Sequence, residues 1–153
     1  MSIFNRGRQQ PSNREQVAAY VERILHDAQI DPASSRMTNL EGLGWQFIWG
    51  SAQIEVYINA KDNRDYFQVL SPIMIIPQSG LLPFYRRLLE LNMLIPNLTF
   101  GIYGDTVYLF SERPMEGLDM NEAYDLIRAI ASNADEWDNQ LVNEFGGRLY
   151  RQV

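Results

Sequence analysis

The stretch LELNMLIPNLTFGIYGDTVYLFSERPMEGLD, Leu89 to Asp119, reads as the end of a helix, a tight β-hairpin and an extended exit into a further, acidic helix. Asn92 followed by Pro96 closes the first helix, because proline cannot continue it. Gly104-Asp105 is a two-residue hairpin turn, of the kind that demands a positive φ. Strand side chains alternate between faces, so Leu98, Phe100, Ile102, Val107 and Leu109 fall together on one of them. That face needs an apolar cover, and the flanking helices are its nearest source. The expectation is an α+β domain whose sheet is packed on one side.

Upstream, Ser12 with Glu15 makes a capping box. Val17, Val21, Ile24, Leu25 and Ala28 then repeat at helical spacing to Gln29, with Asp31-Pro32 as the stop. WQFIW and AQIEVYI alternate around Gly50-Ser51 and predict a hairpin with a Gly-first turn. In that register Trp45, Phe47, Trp49, Ile54, Val56 and Ile58 share the core face. Gln46, Ile48, Gln53, Glu55 and Tyr57 take the other. The polar KDNRD turn leads to a third strand, about Tyr66 to Ile75, in which Pro72 cannot donate a ladder hydrogen bond and implies an edge position or a bulge. LLPFYRRLLELN is a short second helix with Pro83 in its first turn. Downstream, Asp119 with Glu122 caps a last helix running to Phe145, before Gly146-Gly147. The order is α-βββ-α-ββ-α, an antiparallel sheet with helices on one face.

A chain of 153 residues, 46% of them hydrophobic, fits one domain with a sizeable core. The expected division is a basic N-terminal segment over 1–11, a single domain over 12–147 and a basic tail over 148–153. No run of about 18 apolar residues exists and the first ten residues lack an apolar leader, so the expectation is a cytoplasmic protein without a membrane span. There is no cysteine, which removes disulfides, thiolate nucleophiles and cysteine-bound metals. The net charge is −6, but Arg6, Arg8, Arg14, Arg148 and Arg151 lie at the ends. Residues 15–147 hold eight cations against nineteen acids, a net −11 that repels a phosphate backbone and argues against nucleic acid.

Side chains for catalysis are sparse. His26 is the one histidine, on the polar side of the first helix, and reads as a solvated residue with no nucleophile pattern beside it. Asp135, Glu136 and Asp138 could in principle hold a hard cation, yet on a helix they spread around the surface, and neither a DxDxDG loop nor an HExxH pattern occurs. The GxxG from Gly101 to Gly104 lies within a hairpin and reads as turn chemistry. No catalytic, metal or cofactor-binding residue is expected, and no cofactor.

The sheet face away from the helices carries more. Continuing both hairpin registers places Ile48, Tyr57, Tyr66, Tyr103, Tyr108 and Phe110 there among Gln and Thr, too much aromatic surface for an idle solvent face. Tyrosine supplies contact area at low entropic cost together with a hydroxyl. These six are the candidate partner-binding residues. The partner is a protein client, held as a peptide tail or extended segment, with strand addition at a sheet edge as a second route. Arg86 and Arg87 could orient an acidic client or serve as helix-face salt bridges. Two other classes remain: a homo-oligomer that buries the aromatic face against itself, and a small-molecule enzyme or carrier.

In WGSAQIEVYI, FQVLSPIMIIP and the opening stretch with its LLELN and PMEGLD phrases, the chain resembles the YbjN family, whose members share the type III secretion chaperone-like fold. The resemblance spans roughly residues 14 to 145 and rests on packing and turn motifs, which speak to fold rather than chemistry. It implies a non-enzymatic protein binder with no catalytic residues to carry over. Secretion chaperones of this fold are acidic dimers that hold an extended client segment. Cyanobacterial relatives resemble assembly factors, including those for carboxysome shells, and YbjN itself is a regulator of sensory or motility functions. The implied function is a chaperone or adaptor, a homodimer among the expectations, that assists assembly of a multisubunit complex. The alternative is a homo-oligomeric sensory or stress regulator without a dedicated client.

Overall fold

The computed structural model describes residues 13–38 and 41–150. Ser12, the 1–11 segment and Arg151 of the sequence reading lie outside them. The elements are α1 (Asn13–Asp27), α2 (Pro32–Ser35), β1 (Leu43–Trp49), β2 (Ala52–Lys61), β3 (Arg64–Ile75), α3 (Leu81–Leu94), β4 (Thr99–Tyr103), β5 (Thr106–Pro114), α4 (Met120–Phe145) and β6 (Arg148–Leu149). The strands form one antiparallel sheet in the order β1-β2-β3-β5-β4, with β6 on β3.

Both expected two-residue turns close their hairpins, pairing Trp49 with Ala52 and Tyr103 with Thr106. Gly50 and Gly104 supply the positive φ, at 64° and 59°. The β2–β3 turn uses Asp62-Asn63, both left-handed, which is the tolerance for αL that distinguishes Asn and Asp. Pro72 sits in the central strand, and the ladder to β5 slips between Pro72 and Met74. The proline is thus accommodated by a bulge, the alternative to an edge position.

The core face is the expected one. Trp45, Phe47, Ile54, Val56, Ile58, Phe67, Val69, Phe100, Val107 and Leu109 are all buried beneath the helices. α4 crosses β2, β3 and β5, α1 packs on α4, and α3 covers β4. Rings knit the layers: Phe100 meets Trp137 and Phe84 meets Phe145, both edge-on. The Asp119 side chain accepts from the Glu122 N–H at 2.8 Å and caps α4. The Glu122 carboxylate does not complete a box but binds Arg113. That guanidinium also donates to the carbonyls of Pro114 at 2.7 Å and Glu116 at 2.5 Å, fixing the loop between β5 and α4.

Four expectations are corrected. Asp31-Pro32 is not the stop of α1, which ends at Asp27 with left-handed Gln29 and the Ile30 N–H donating to the Leu25 carbonyl; Asp31 instead caps α2, accepting from the N–H groups of Ala33 and Ser34. Gly146-Gly147 does not release a tail at once, because Arg148 and Leu149 pair with β3. A Cβ on Gly147 would lie 2.4 Å from the Ile75 carbonyl oxygen, so only glycine lets β6 close. Ile102 is 40% exposed, since it lies near the open tip of its hairpin. Asn92 precedes the last residue of α3 by a turn's fraction and acts on the sheet instead, as described next.

Candidate functional site

The sheet edges are partly closed. The Asn92 side chain donates to the Phe100 carbonyl at 3.3 Å and accepts the Phe100 N–H at 2.6 Å. An antiparallel strand turns alternate residues outward, so the outward backbone pairs of β4 belong to Phe100 and Ile102, and α3 takes the first. On β1 the Met37 N–H donates to the Gly44 carbonyl at 2.8 Å and Arg36 bridges Trp45, covering the beginning of that edge. The larger free surface is the open face.

There, alternation places Glu55 and Tyr57 of β2, Leu70 and Pro72 of β3, Tyr108 and Phe110 of β5, and Thr99, Gly101 and Tyr103 of β4. Gly101 stands opposite Tyr108, and a Cβ built on it meets nothing within 4 Å. The missing side chain leaves a hollow of about 350 Å³ walled by Tyr57, Leu70, Tyr103, Tyr108 and Phe110, with Glu55 at its inner side. Glu55 accepts from the Tyr57 hydroxyl at 2.8 Å and from the Gln53 amide at 3.0 Å. Burial, and then the hydrogen bond to Glu55, raise the Tyr57 phenol above its ordinary pKa. Burial and the charge of Glu55 do the same for Tyr108. Both hydroxyls therefore stay protonated at neutral pH.

Thr99 and Phe110 also border a second cleft, of about 790 Å³, where β5 runs on past the start of β4. Its walls include Glu112, Glu122 and Asp125. Four residues of α4 wall this cleft as well, so it opens at the sheet edge toward the helical layer rather than on the open face.

Of the six candidate residues, Tyr57, Tyr103, Tyr108 and Phe110 converge on the hollow. Ile48 lies apart, in a cleft with Gln53, Pro72 and Tyr150. Tyr66 sits on the same face at the far end of β3, opposite Pro114. Glu55, Leu70 and Gly101 went unread as site residues, although a glycine inside a strand is itself a mark of close approach. The remaining candidates are engaged elsewhere. Arg86 pairs with Glu90 at 2.9 Å, Arg87 lies 5.9 Å from the Trp137 ring centre, and Asp135 holds the Ser51 hydroxyl. His26 is exposed, 3.5 Å from Asp27, whose carboxylate is held by Arg23.

Sequence comparison identifies the family. Residues 49–153 match the family described as T3SS (YopN, CesT) and YbjN peptide-binding chaperone 1. The chain belongs to this family of peptide-binding chaperones. The matched segment begins at Trp49 and includes every residue walling the hollow. Solved structures agree in fold. The chain is similar to one in the ExsC–ExsE complex, with a TM-score of 0.64 at 12% identity over 84% of this chain and 95% of the other. It is likewise similar to one in the HopA1–SchA chaperone–effector complex, with a TM-score of 0.61 at 8% identity over 82% and 95%. No curated protein matches. The chaperone carries the type III secretion chaperone-like fold, and no helix among the described residues is long and apolar enough to cross a membrane.

Proposed function

We propose that this chaperone is a non-enzymatic, cytoplasmic protein that holds an extended client segment across the open sheet face, in the hollow between Tyr57, Tyr103, Tyr108 and Phe110. The observation that carries this reading is the hollow over Gly101, an apolar, ring-walled depression on the sheet face that no helix among the described residues covers. Family membership supplies the ligand class, a peptide. Affinity comes from burying apolar surface, at about 25 cal/mol per Å² before ordering costs. The test is selection from a displayed random 12-residue peptide library. Enrichment by the wild type and its loss with Tyr108→Ser/Phe110→Ser support the site. Enriched peptides that bind this variant undiminished place the site elsewhere.

The reading extends to a homodimer built through α3 rather than the aromatic face. Leu82, Leu89 and Met93 are 81%, 67% and 87% exposed and follow one another at seven and four residues, a single stripe on the helix. Arg86 and Glu90 neutralise each other within it. An antiparallel second copy would set Leu82 against Met93 around Leu89 without charge repulsion, the self-complementarity that a two-fold interface needs. Self-association then leaves the aromatic face open for a client, which favours a chaperone over a client-free regulator. Assistance to a multisubunit assembly such as a carboxysome shell is supported by the sequence resemblance alone, and co-purification with shell proteins tests it.

A further inference from the structure

We infer that the side chain a client sets into the hollow is an arginine, with its methylenes along Leu70 and Phe110 and its guanidinium on the Glu55 carboxylate. This rests on the reading that the open face holds a peptide, and names the residue that the peptide must carry there.

The hollow has an internal direction. Glu55 pairs with Leu70, Leu70 with Phe110 and Phe110 with Thr99, so these four stand in one row across β2, β3, β5 and β4. Adjacent strands lie about 4.8 Å apart, which puts Glu55 about 10 Å from Phe110. The row is apolar in its middle and ionised at its β2 end. None of the other residues lining the hollow carries a charge. Among the described residues Glu55 belongs to no ion pair. Its carboxylate is bonded by neutral donors, the Tyr57 hydroxyl and the Gln53 amide. Its charge reaches as far as Tyr108, two strands away, and helps to keep that phenol protonated.

This charge sets the chemistry of an occupant. Anything that fills the hollow takes water away from Glu55, and a carboxylate stripped of water without a counter-charge is costly. An apolar side chain incurs that cost in full, and an acidic one adds repulsion. A cation offsets it and gains a charge-assisted hydrogen bond. The cation also needs an apolar stem to cover Leu70 and Phe110, which restricts the choice to lysine and arginine.

The hydrogen bonds already made by Glu55 decide between the two. A carboxylate has about four acceptor sites, two on each oxygen. Gln53 takes one on Oε1 and Tyr57 one on Oε2, which leaves one on each oxygen. A guanidinium fork meets that pair with two parallel N–H groups, whereas an ammonium meets it as a point charge. The tyrosine and phenylalanine walls favour the same choice, since arginine is the cation found more often against aromatic rings.

The probes are peptides selected by the wild type from the 12-residue library. The expected result is an arginine shared by the enriched peptides. One of them, labelled for fluorescence anisotropy, is compared with versions carrying citrulline, leucine or lysine in place of that arginine. Citrulline keeps the shape and loses the charge. It should weaken binding about tenfold or more, as should leucine, with lysine falling between. Glu55→Gln should bind the parent and citrulline peptides equally, at the weaker value, with circular dichroism as in the wild type. The same variant, used in a fresh selection, should enrich leucine or methionine where the wild type enriches arginine. Three results each overturn the inference and leave the peptide-binding reading intact: enriched peptides that share no arginine, a citrulline peptide bound as tightly as its parent, or full-strength binding of the parent by Glu55→Gln. A lysine peptide that binds as tightly as the parent overturns the choice of arginine. The peptide-binding reading itself falls, and the inference with it, if the wild type enriches nothing.

Discussion

Asn92 and Phe100 form a two-point clasp in which a helix side chain imitates a neighbouring strand, receiving the N–H and donating to the carbonyl of one residue of β4. The clasp joins α3 to the edge of the sheet and occupies backbone groups that would otherwise invite another strand. Asn92→Ala is expected to cost about 1–2 kcal/mol, because it orphans two backbone groups of a largely buried residue. Urea denaturation measures it. At constant m, a midpoint unchanged from the wild type would show that the clasp contributes nothing.

Tyr108 and Phe110 bear on function rather than on stability. Their rings lie on the open face, over a core made by Val107 and Leu109 on the other side of the same strand. Tyr108→Ser/Phe110→Ser is expected to lose at least about 2 kcal/mol of peptide affinity, as central aromatic anchors do, with the far-ultraviolet spectrum kept. Titration calorimetry with a selected peptide reads the loss.

Leu89 occupies the middle of the α3 stripe. Leu89→Glu places a charge at the centre of the proposed two-fold, and since the side chain is exposed the fold should tolerate it. Sedimentation velocity is expected to show a dimer for the wild type and a monomer for the variant, with peptide binding to the monomer retained. A wild type that sediments as a monomer at high micromolar concentration rejects the α3 interface.

Arg14 reaches from α1 to Asp65 at the start of β3, with its Nη2 2.5 Å from the carboxylate. The hydrogen bond from Arg14 holds the Asp65 pKa below its ordinary value in the folded state. The unfolded chain therefore binds the proton more tightly. The pair's stabilisation is complete above the unfolded value of about 3.9 and is lost as pH falls through the folded one. Because both side chains are about one-third exposed, Arg14→Gln should cost less than about 1 kcal/mol at pH 7. Below about pH 3 it should cost still less. Thermal melts across that range test the sign.

Asp138 behaves oppositely. Burial and the nearby charge of Asp135 raise its pKa, against the lowering effect of hydrogen bonds from Asn139. The folded state now holds the proton more tightly, so the ionised form opposes folding at neutral pH. Asp138→Asn should raise the melting temperature at pH 7 and make no difference once pH is below about 3.9.

The sequence disclosed those features that depend on neighbours along the chain. The Gly104-Asp105 and Gly50-Ser51 turns, the Asp119 cap and the end of α4 at Phe145 all follow from local chemistry. So does the division of β1, β2 and β5 into two faces, since a period of two needs only the turn to set its phase. Pairings made over long range were less accessible. Pro72 by itself left an edge position and a bulge both open, and nothing local says that β3 lies at the centre or that the chain beyond Gly147 turns back to pair with it. The site was half visible for the same reason. Tyr57, Tyr103, Tyr108 and Phe110 announce a face, but which of six apolar residues meet depends on strand order, and Ile48 and Tyr66 proved too far along their strands. The hollow itself was hidden because it is made by the side chain that Gly101 lacks.

The central claim is that the open sheet face, and not the helical layer, holds the client. The eight tyrosines report on it directly, since Tyr57, Tyr103 and Tyr108 wall the hollow while Tyr20, Tyr85 and Tyr124 belong to helices. Carbon–proton correlation spectra of protein labelled on tyrosine rings, recorded while a selected peptide is added, measure the footprint. The account predicts shifts for Tyr57, Tyr103 and Tyr108 that saturate with binding, and resonances of Tyr20, Tyr85 and Tyr124 that stay in place. Saturating shifts confined to the helical tyrosines would contradict it.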